Sequence, residues 1–215
     1  MVNKLYYAER IEEAKLHILD IVARFLNSRS EERLRIADVA AQAEVSASVL
    51  YSYFGSKEGL VDEAYLLIYK QQNQLILETV SEILAQLPTH QETFKALIAR
   101  LQADPRVHNS NDFREMRMRI RARGFVNASF ESTFEKLQND YLLLLAKSVE
   151  GFAVFTGASI DFSHVLQSVN LIDTILMARV INSRAAFPLD IDQWQSMVQA
   201  VLETSWPRIR SSEIA

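Results

Sequence analysis

The chain of 215 residues contains no cysteine, and only five glycines and four prolines. The absence of cysteine excludes disulfides, thiolate metal ligands and a cysteine nucleophile. The low glycine and proline content favours long helices over a turn-rich β fold. Hydrophobic residues make up 49% of the chain, which is ordinary for a globular protein. At this length we expect one or two domains with a substantial buried core.

Long apolar segments are also missing. Uninterrupted apolar runs, such as residues 141–146, are far shorter than the roughly 20 residues that a membrane-spanning helix needs. The first residues, MVNK, lack the apolar run of a secretory signal peptide. We therefore expect a soluble, cytoplasmic protein with no membrane partner.

Signals of catalysis are equally scarce. The four histidines, at positions 17, 90, 108 and 164, are scattered and lack the spacing of zinc ligands. The chain carries no nucleophile elbow, P-loop or dinucleotide-binding motif. We therefore expect no enzyme activity, no catalytic residue, no metal and no cofactor. Turnover of a ligand retained by the protein would favour an enzyme instead.

The charge balance does not indicate a broad nucleic-acid-binding surface. The net charge is −4, and residues 1–60 contain eight Lys or Arg and nine Asp or Glu. A protein that neutralises many phosphates normally carries a basic patch. This balance still allows a small footprint on DNA, presented twice by a dimer.

The stretch 36–60 carries the most informative pattern. Between residues 36 and 43 apolar residues recur at three- and four-residue spacing, which predicts a short helix with one buried face. Ser46 is a suitable N-cap for a second short helix, which Gly55 ends before Ser56 begins a third. Two short helices joined by a tight turn form a helix-turn-helix, whose second helix lies in the DNA major groove.

Residues 50–60, LYSYFGSKEGL, resemble the signature of the TetR family of bacterial transcriptional regulators. The resemblance implies an all-α fold of about nine helices, with a three-helix DNA-binding head in residues 1–55. Residues 56–215 would then form a helical ligand-binding and dimerisation domain. Glu44 stands where the family usually has a turn glycine, which indicates a turn that accommodates a side chain or holds mild strain. Arg35 replaces a capping threonine but leaves a phosphate contact available.

The front of the second short helix presents small side chains that can approach base edges closely. Ala47 or Val49 can contact a thymine methyl, and serine can pair with several bases. No long side chain reads guanine here, so phosphate contacts and DNA shape are expected to carry much of the specificity. The resemblance implies that Tyr51 packs inside and Tyr53 reaches a phosphate, with simple packing as the alternative for Tyr53. The predicted DNA contacts are Arg35, Ser46, Ala47, Ser48, Val49, Ser52, Tyr53 and Lys57.

Long helices are predicted beyond the head. The apolar spacing places them at about 56–86, 129–156 and 161–184, with shorter ones near 89–101 and 190–203. The last two are apolar over much of their circumference, which predicts burial on two sides. The resemblance implies that they form a four-helix dimer interface, and a purely intramolecular core is the alternative. The predicted interface residues are Val165, Val169, Ile172, Leu176, Trp194, Met197 and Val198.

An arginine-rich segment, residues 106–123, has six arginines against two acidic residues. The simplest interpretation is a surface helix whose arginine heads are solvated or paired. Alternatively, one arginine points inward and holds an anionic ligand such as a carboxylate or an acyl phosphate.

Aromatic residues around this segment suggest a pocket for a small apolar or amphipathic effector. Aromatics at helical spacing are, however, more often core than pocket. The predicted lining is Phe113, Met116, Arg117, Phe130, Phe134, Tyr141, Phe152 and His164.

These features together predict a dimeric DNA-binding regulator, most simply a repressor that a small ligand releases from its operator. The ligand would change the spacing of the two recognition helices, which must lie about 34–36 Å apart to meet successive major grooves. The alternative is a helical interaction protein that has lost DNA binding. The acidic balance of the head and the presence of Glu44 leave that alternative open.

Overall fold

The structure is a computed structural model in which the helical framework is described over most of the chain. The described residues are 2–87, 97, 100, 104, 111–155, 158–159, 161–183, 190, 192–194, 196–197, 200 and 210–211. Within them the chain forms seven α-helices, one short 3-10 helix and one pair of two-residue strands. Its contacts divide into two compact units, residues 1–71 and 72–215, and the division falls inside a continuous helix.

The first unit is a small helical head. Its elements are α1 (Val2–Ser28), a 3-10 helix (Glu31–Arg33), α2 (Ile36–Gln42), α3 (Ala47–Phe54) and the first half of α4 (Lys57–Ala85). The largest fully buried side chains come from three of these helices: Ile18, Val22, Leu26, Leu50 and Leu60, each at most 1% exposed. The predicted bounds of the two short helices, α2 and α3, are confirmed to within one residue.

The second unit is built from the rest of α4, α5 (Asn111–Gly124), α6 (Ala128–Phe155) and α7 (Phe162–Ser183). Its main core cluster joins Ile76 and Val80 of α4 to Ala146 of α6 and to Val165 and Val169 of α7. These residues recur at helical spacing, so one face of each helix is buried against the others. The three long helices predicted beyond the head are confirmed.

Side-chain caps define where the later helices begin. Asn127 lies just before α6, and its Oδ1 accepts a hydrogen bond across 3.1 Å from the N–H of Phe130 in the first turn. Asp161 Oδ1 accepts from the Ser163 N–H across 2.9 Å at the start of α7. Asp190 and Gln193 form a reciprocal capping box, with bonds of 2.8 and 3.1 Å, and residues 192–194 are helical.

One feature of the fold was not expected from the sequence. Ala158–Ser159 pairs antiparallel with Arg210–Ser211, which ties the segment before α7 to the end of the chain. Two residues are too few to show an alternating pattern, so nothing in the sequence indicates this pairing.

Two predicted helices lie largely outside the described residues. Near 89–101 only residues 97 and 100 are described, and both are helical; near 190–203 the described residues are helical from 192 onward. The predicted count of about nine helices extends over these segments. In the part of the chain that is described, no helix is both long and apolar enough to cross a bilayer.

Candidate nucleic-acid interface and ligand site

The turn between α2 and α3 is held by backbone hydrogen bonds. The Ala43 N–H donates to the Val39 carbonyl across 2.9 Å, and the Val45 N–H donates to the Ala40 carbonyl across 3.0 Å. Between them Glu44 has a φ of 55°, in the left-handed region that glycine enters without steric cost. The prediction of a turn that accommodates a side chain at Glu44 is confirmed.

A serine caps the start of α3. Ser46 Oγ accepts a hydrogen bond from the Val49 N–H across 3.4 Å, and it lies 2.7 Å from Ser48 Oγ. Ser52 Oγ donates to the Val49 carbonyl across 2.8 Å. The predicted cap is confirmed. Ser46 and Ser48 share one hydrogen bond, so one of their two hydroxyl protons is left to donate to an external acceptor such as a phosphate.

The two faces of α3 differ sharply in burial. Leu50 and Phe54, four residues apart, are 1% and 7% exposed and anchor the helix. Ala47, Ser48 and Ser52 are exposed, and Val49 is half-buried. The small side chains predicted to meet DNA therefore lie outward, on the side away from the anchors. Their contacts with bases or phosphates stay a prediction.

The expectation that Tyr51 packs inside is wrong, because this residue is 49% exposed. Successive residues on an α-helix are separated by about 100°, so the residue after buried Leu50 lies beyond the buried face. Tyr51 therefore adds an aromatic ring and a hydroxyl to the outward surface of α3. The helical period alone could have found it, since Tyr51 lies four residues after exposed Ala47.

Tyr53 is half-buried, and its ring has an aromatic and a cationic neighbour. Its ring meets Phe54 edge to face, with centroids 6.2 Å apart, and Lys15 Nζ lies 5.9 Å from its centroid. Lys15 also lies 3.8 Å from a carboxylate oxygen of Glu12. These contacts fix the ring of Tyr53, and its predicted phosphate contact remains a prediction.

Two cations lie at helix starts in the head. Arg35 is exposed and occupies the N-cap of α2 without a side-chain capping bond, as its replacement of threonine predicted. Lys57 begins α4 and is half-buried, and Ser56 Oγ caps that helix by accepting from the Gly59 N–H across 3.0 Å. A helix N-terminus and a lysine both favour an anion, so this position suits a phosphate.

One carboxylate in the head is electrostatically perturbed. Desolvation raises the pKa of Glu63, with Lys15 and Lys70 opposing the shift and Glu12 adding to it. Glu63 therefore holds its proton more readily than an ordinary glutamate, which slightly reduces the negative charge of the head as pH falls.

The family comparison covers this same region. Residues 18–64 match the model of bacterial regulatory proteins of the tetR family. Over these residues the head is similar to that family. The predicted resemblance is confirmed, and the matched segment contains all of α2 and α3 with the turn between them. No curated protein matches the chain.

Solved structures share the fold of this chain over 88–92% of its length. A protein described as a TetR-family regulator from Mesorhizobium loti is 16% identical, with a TM-score of 0.67 over 91% of this chain and 96% of that one. A transcriptional regulator from Saccharomonospora viridis, in complex with choline, is 14% identical, with a TM-score of 0.58 over 92% and 98%. The TetR-family repressor AlkX from Dietzia sp., implicated in n-alkane biodegradation, is 19% identical, with a TM-score of 0.54 over 88% and 94%. These similarities confirm the predicted all-α fold.

The residues predicted to line a ligand pocket have unequal surroundings. Met116, Phe130, Phe134 and Tyr141 are buried, while Phe113 and Phe152 are half-buried. Phe130 and Phe134 stack, with ring centroids 6.1 Å apart. His164 is exposed, and its Nδ1 lies 3.4 Å from Asp161 at the start of α7.

Arg117 is the most unusual residue of the second unit, because its guanidinium is buried with only 4% exposed. It donates to Asn73 Oδ1 across 2.7 Å and to Asp173 Oδ1 across 3.3 Å, and it lies 5.6 Å from the centroid of Tyr141. Arg114 is also buried. The predicted surface position is therefore wrong for these two arginines, whereas the pairing that the same interpretation allowed is found for Arg117. The inward orientation is the one observed, and a ligand at Arg117 remains a prediction.

A described cavity of about 320 Å³ lies elsewhere in the second unit. Of the residues predicted to line a ligand pocket, it contains only Phe152. Its other lining residues include Ser81, Leu84, Leu87, Ser148 and Phe155.

The predicted dimer residues divide into buried and open positions. Val165, Val169, Ile172 and Trp194 are buried within the single chain, so they have little surface left to bury against a second copy. Met197 is 43% exposed. The side chains of Leu176 and Val198 lie outside the described residues. The dimer interface stays a prediction.

No group of three or more histidine, aspartate or glutamate side chains that could hold a metal ion occurs among the described residues. The absence of enzyme activity remains an expectation.

Proposed function

We propose that this chain is a dimeric DNA-binding transcriptional regulator, and more specifically a repressor that leaves its operator when a small ligand binds the helical unit. The observation that carries the proposal is the arrangement of α3. Buried Leu50 and Phe54 fix the helix, so its exposed face, including Ser48 and Ser52, is available to the major groove. The match of residues 18–64 to the tetR family supports the same role.

The electrostatics of the head suit phosphate contacts that position the helix. Arg35 is exposed at the start of α2, and Lys57 lies at the start of α4. Tyr53, with Lys15 over its ring, places an aromatic hydroxyl and a cation close together. We therefore assign positioning to these residues and base contact to the small side chains at the front of α3.

The second unit is proposed as the effector-binding domain. A structure with the same fold, in complex with choline, supports a small-molecule effector. For this chain the proposed effector is a small apolar or amphipathic molecule. Arg117, held by Asn73 and Asp173, marks the buried polar cluster beside which such a molecule would bind.

Helix α4 provides the connection between effector and DNA. It runs without interruption from Lys57 to Ala85, so it belongs to both units. A ligand that favours one position of α4 would shift the population toward a state in which two recognition helices no longer match successive grooves.

A gel-shift experiment tests the proposal. Full-length protein is incubated at low salt with the DNA that flanks its own gene, and we expect a discrete complex. Tyr53→Ala combined with Lys57→Ala should weaken binding to all sequences alike, since both residues are assigned to phosphates. A loss that depends on the base sequence would contradict this assignment, and Lys136→Ala in the second unit is the matched lysine control.

The second candidate is a helical interaction protein that has lost DNA binding. The even charge balance of residues 1–60 and the acidic side chain of Glu44 in the turn favour it. A folded dimer that shifts no DNA at low salt would support this candidate over the regulator.

A further inference from the structure

A buried amide oxygen on α4 lacks the hydrogen bond that burial normally demands. Gln72 is 9% exposed, and its Oε1 has no hydrogen-bond partner. Its Nε2 donates to the Phe113 carbonyl across 3.3 Å. Rotating the amide cannot satisfy both atoms, because the Phe113 carbonyl is an acceptor and needs the N–H side. Buried polar atoms in native proteins are almost always paired, so Gln72 Oε1 is an exception that calls for a partner.

The surroundings of Gln72 are polar on one side and apolar on the other. The next residue, Asn73, accepts from buried Arg117, which lies one turn beyond Phe113 on α5. One turn farther along α4, Ile76 belongs to the main core cluster, against which Phe113 also packs. The unpaired oxygen therefore lies where a buried polar cluster meets the apolar core.

We propose that Gln72 Oε1 accepts a hydrogen bond from the neutral hydroxyl group of an amphipathic effector, whose apolar part packs against the core beside Ile76. This inference rests on the proposed ligand-responsive regulation and names the chemical class of the ligand. It also places the ligand directly on α4, the helix that continues into the DNA-binding head.

The charges around the site select a hydroxyl over an ionised head group. A carboxylate has no proton to donate to Gln72 Oε1, and Arg117 is already engaged by Asp173 and Asn73. An ammonium group can donate, but it would enter a region that already holds the buried guanidinium groups of Arg117 and Arg114. A hydroxyl supplies the missing donor without adding a buried charge.

The experiment measures binding without DNA. Full-length protein is titrated with octan-1-ol, octanoate and octylammonium by calorimetry, and its thermal midpoint is recorded with each compound. We expect octan-1-ol to bind and to raise the midpoint, and the two ions to bind at least tenfold more weakly. Gln72→Leu should weaken octan-1-ol binding by about tenfold, because it removes the acceptor of the hydroxyl.

Thr79→Val is the matched control on the same helix. Thr79 is fully buried, and its hydroxyl already donates to the Leu75 carbonyl across 2.8 Å. This variant also exchanges a buried polar side chain for an apolar one, but it should leave the affinity for octan-1-ol unchanged.

Three results would overturn the inference: no binding of octan-1-ol, an ion that binds as tightly as the alcohol, or a Gln72→Leu variant that keeps its affinity. Gel shifts on the same preparations report separately on the proposed function. A protein that binds octan-1-ol through Gln72 but shifts no DNA would support the site and contradict the regulatory role.

Discussion

Arg117 Nη1 of α5 donates a hydrogen bond to Asn73 Oδ1 of α4 across 2.7 Å in the buried interior of the second unit. The same guanidinium meets Asp173 of α7 across 3.3 Å and lies over the ring of Tyr141 of α6. Four helices therefore converge on one buried positive charge. Such a charge is tolerated only while its partners remain in place.

Asp173→Ala should strongly destabilise the second unit. Removing one partner of a buried ion pair leaves the other charge uncompensated, which costs about 3–5 kcal/mol. Urea denaturation followed by circular dichroism measures the loss. Replacing both charges, with Arg117→Met and Asp173→Leu, should recover much of it. A loss below about 1 kcal/mol for Asp173→Ala would show that the pair is not a structural element.

Adjacent residues of α3 should respond very differently to truncation. Leu50→Ala removes a buried side chain and should cost about 2–5 kcal/mol of unfolding free energy. Tyr51→Ala changes an exposed side chain and should stay within about 0.5 kcal/mol of the wild type. Chemical denaturation of the two variants makes the comparison. If Tyr51→Ala lost as much unfolding free energy as Leu50→Ala, Tyr51 would be packed inside, as the family resemblance implied.

Gly55→Ala should destabilise the head through the backbone alone. The residue has a φ of +74°, and a Cβ built there would meet nothing within 4 Å. The expected cost is the penalty for an L-residue in a sparsely populated region of positive φ, about 1–3 kcal/mol. Gly55→Asn should cost a similar amount, because the ψ of −51° lies outside the left-handed helical region that asparagine tolerates. Thermal unfolding of both variants provides the measurement, and equal stability of Gly55→Ala and wild type would contradict the prediction.

Ser46→Ala should remove the cap of α3. The expected loss is about 0.5–1 kcal/mol, at the lower end of the range for N-caps, because the bond from the Val49 N–H is long at 3.4 Å. Ser48→Ala is the matched control, since it leaves the capping oxygen in place, and it should change stability by less than about 0.5 kcal/mol. Urea midpoints of both variants provide the measurement. A larger loss of stability for Ser48→Ala than for Ser46→Ala would show that Ser48 is the capping residue.

The head could be predicted closely because its signals are local. Ser46, Gly55 and Ser56 set helix ends through caps and a left-handed turn, and each of these depends on a few neighbouring residues. The family resemblance misplaces Tyr51, whereas the helical period does not. With Leu50 and Phe54 as anchors, the period already places Tyr51 outside the buried face.

The proposed ligand site was harder to predict because its chemistry is not local. Arg117 and Asp173 are 56 residues apart, and no spacing rule links a charge on α5 to one on α7. The unpaired oxygen of Gln72 depends on the position of Phe113, 41 residues away. Sequence patterns identify the apolar face of a helix, but only the packed structure shows which polar groups are buried together.

Sedimentation velocity with a labelled duplex from the DNA flanking the gene tests the DNA-binding role of α3 most directly. We predict two copies of the chain on one duplex. Ser48→Glu combined with Ser52→Glu should abolish this complex, because both positions face outward and would place negative charge against the phosphates. Gln167→Glu on α7 is the control and should bind normally. A folded wild-type protein that stays unbound at low salt, or a Ser48→Glu and Ser52→Glu variant that binds as tightly as wild type, would contradict the assignment.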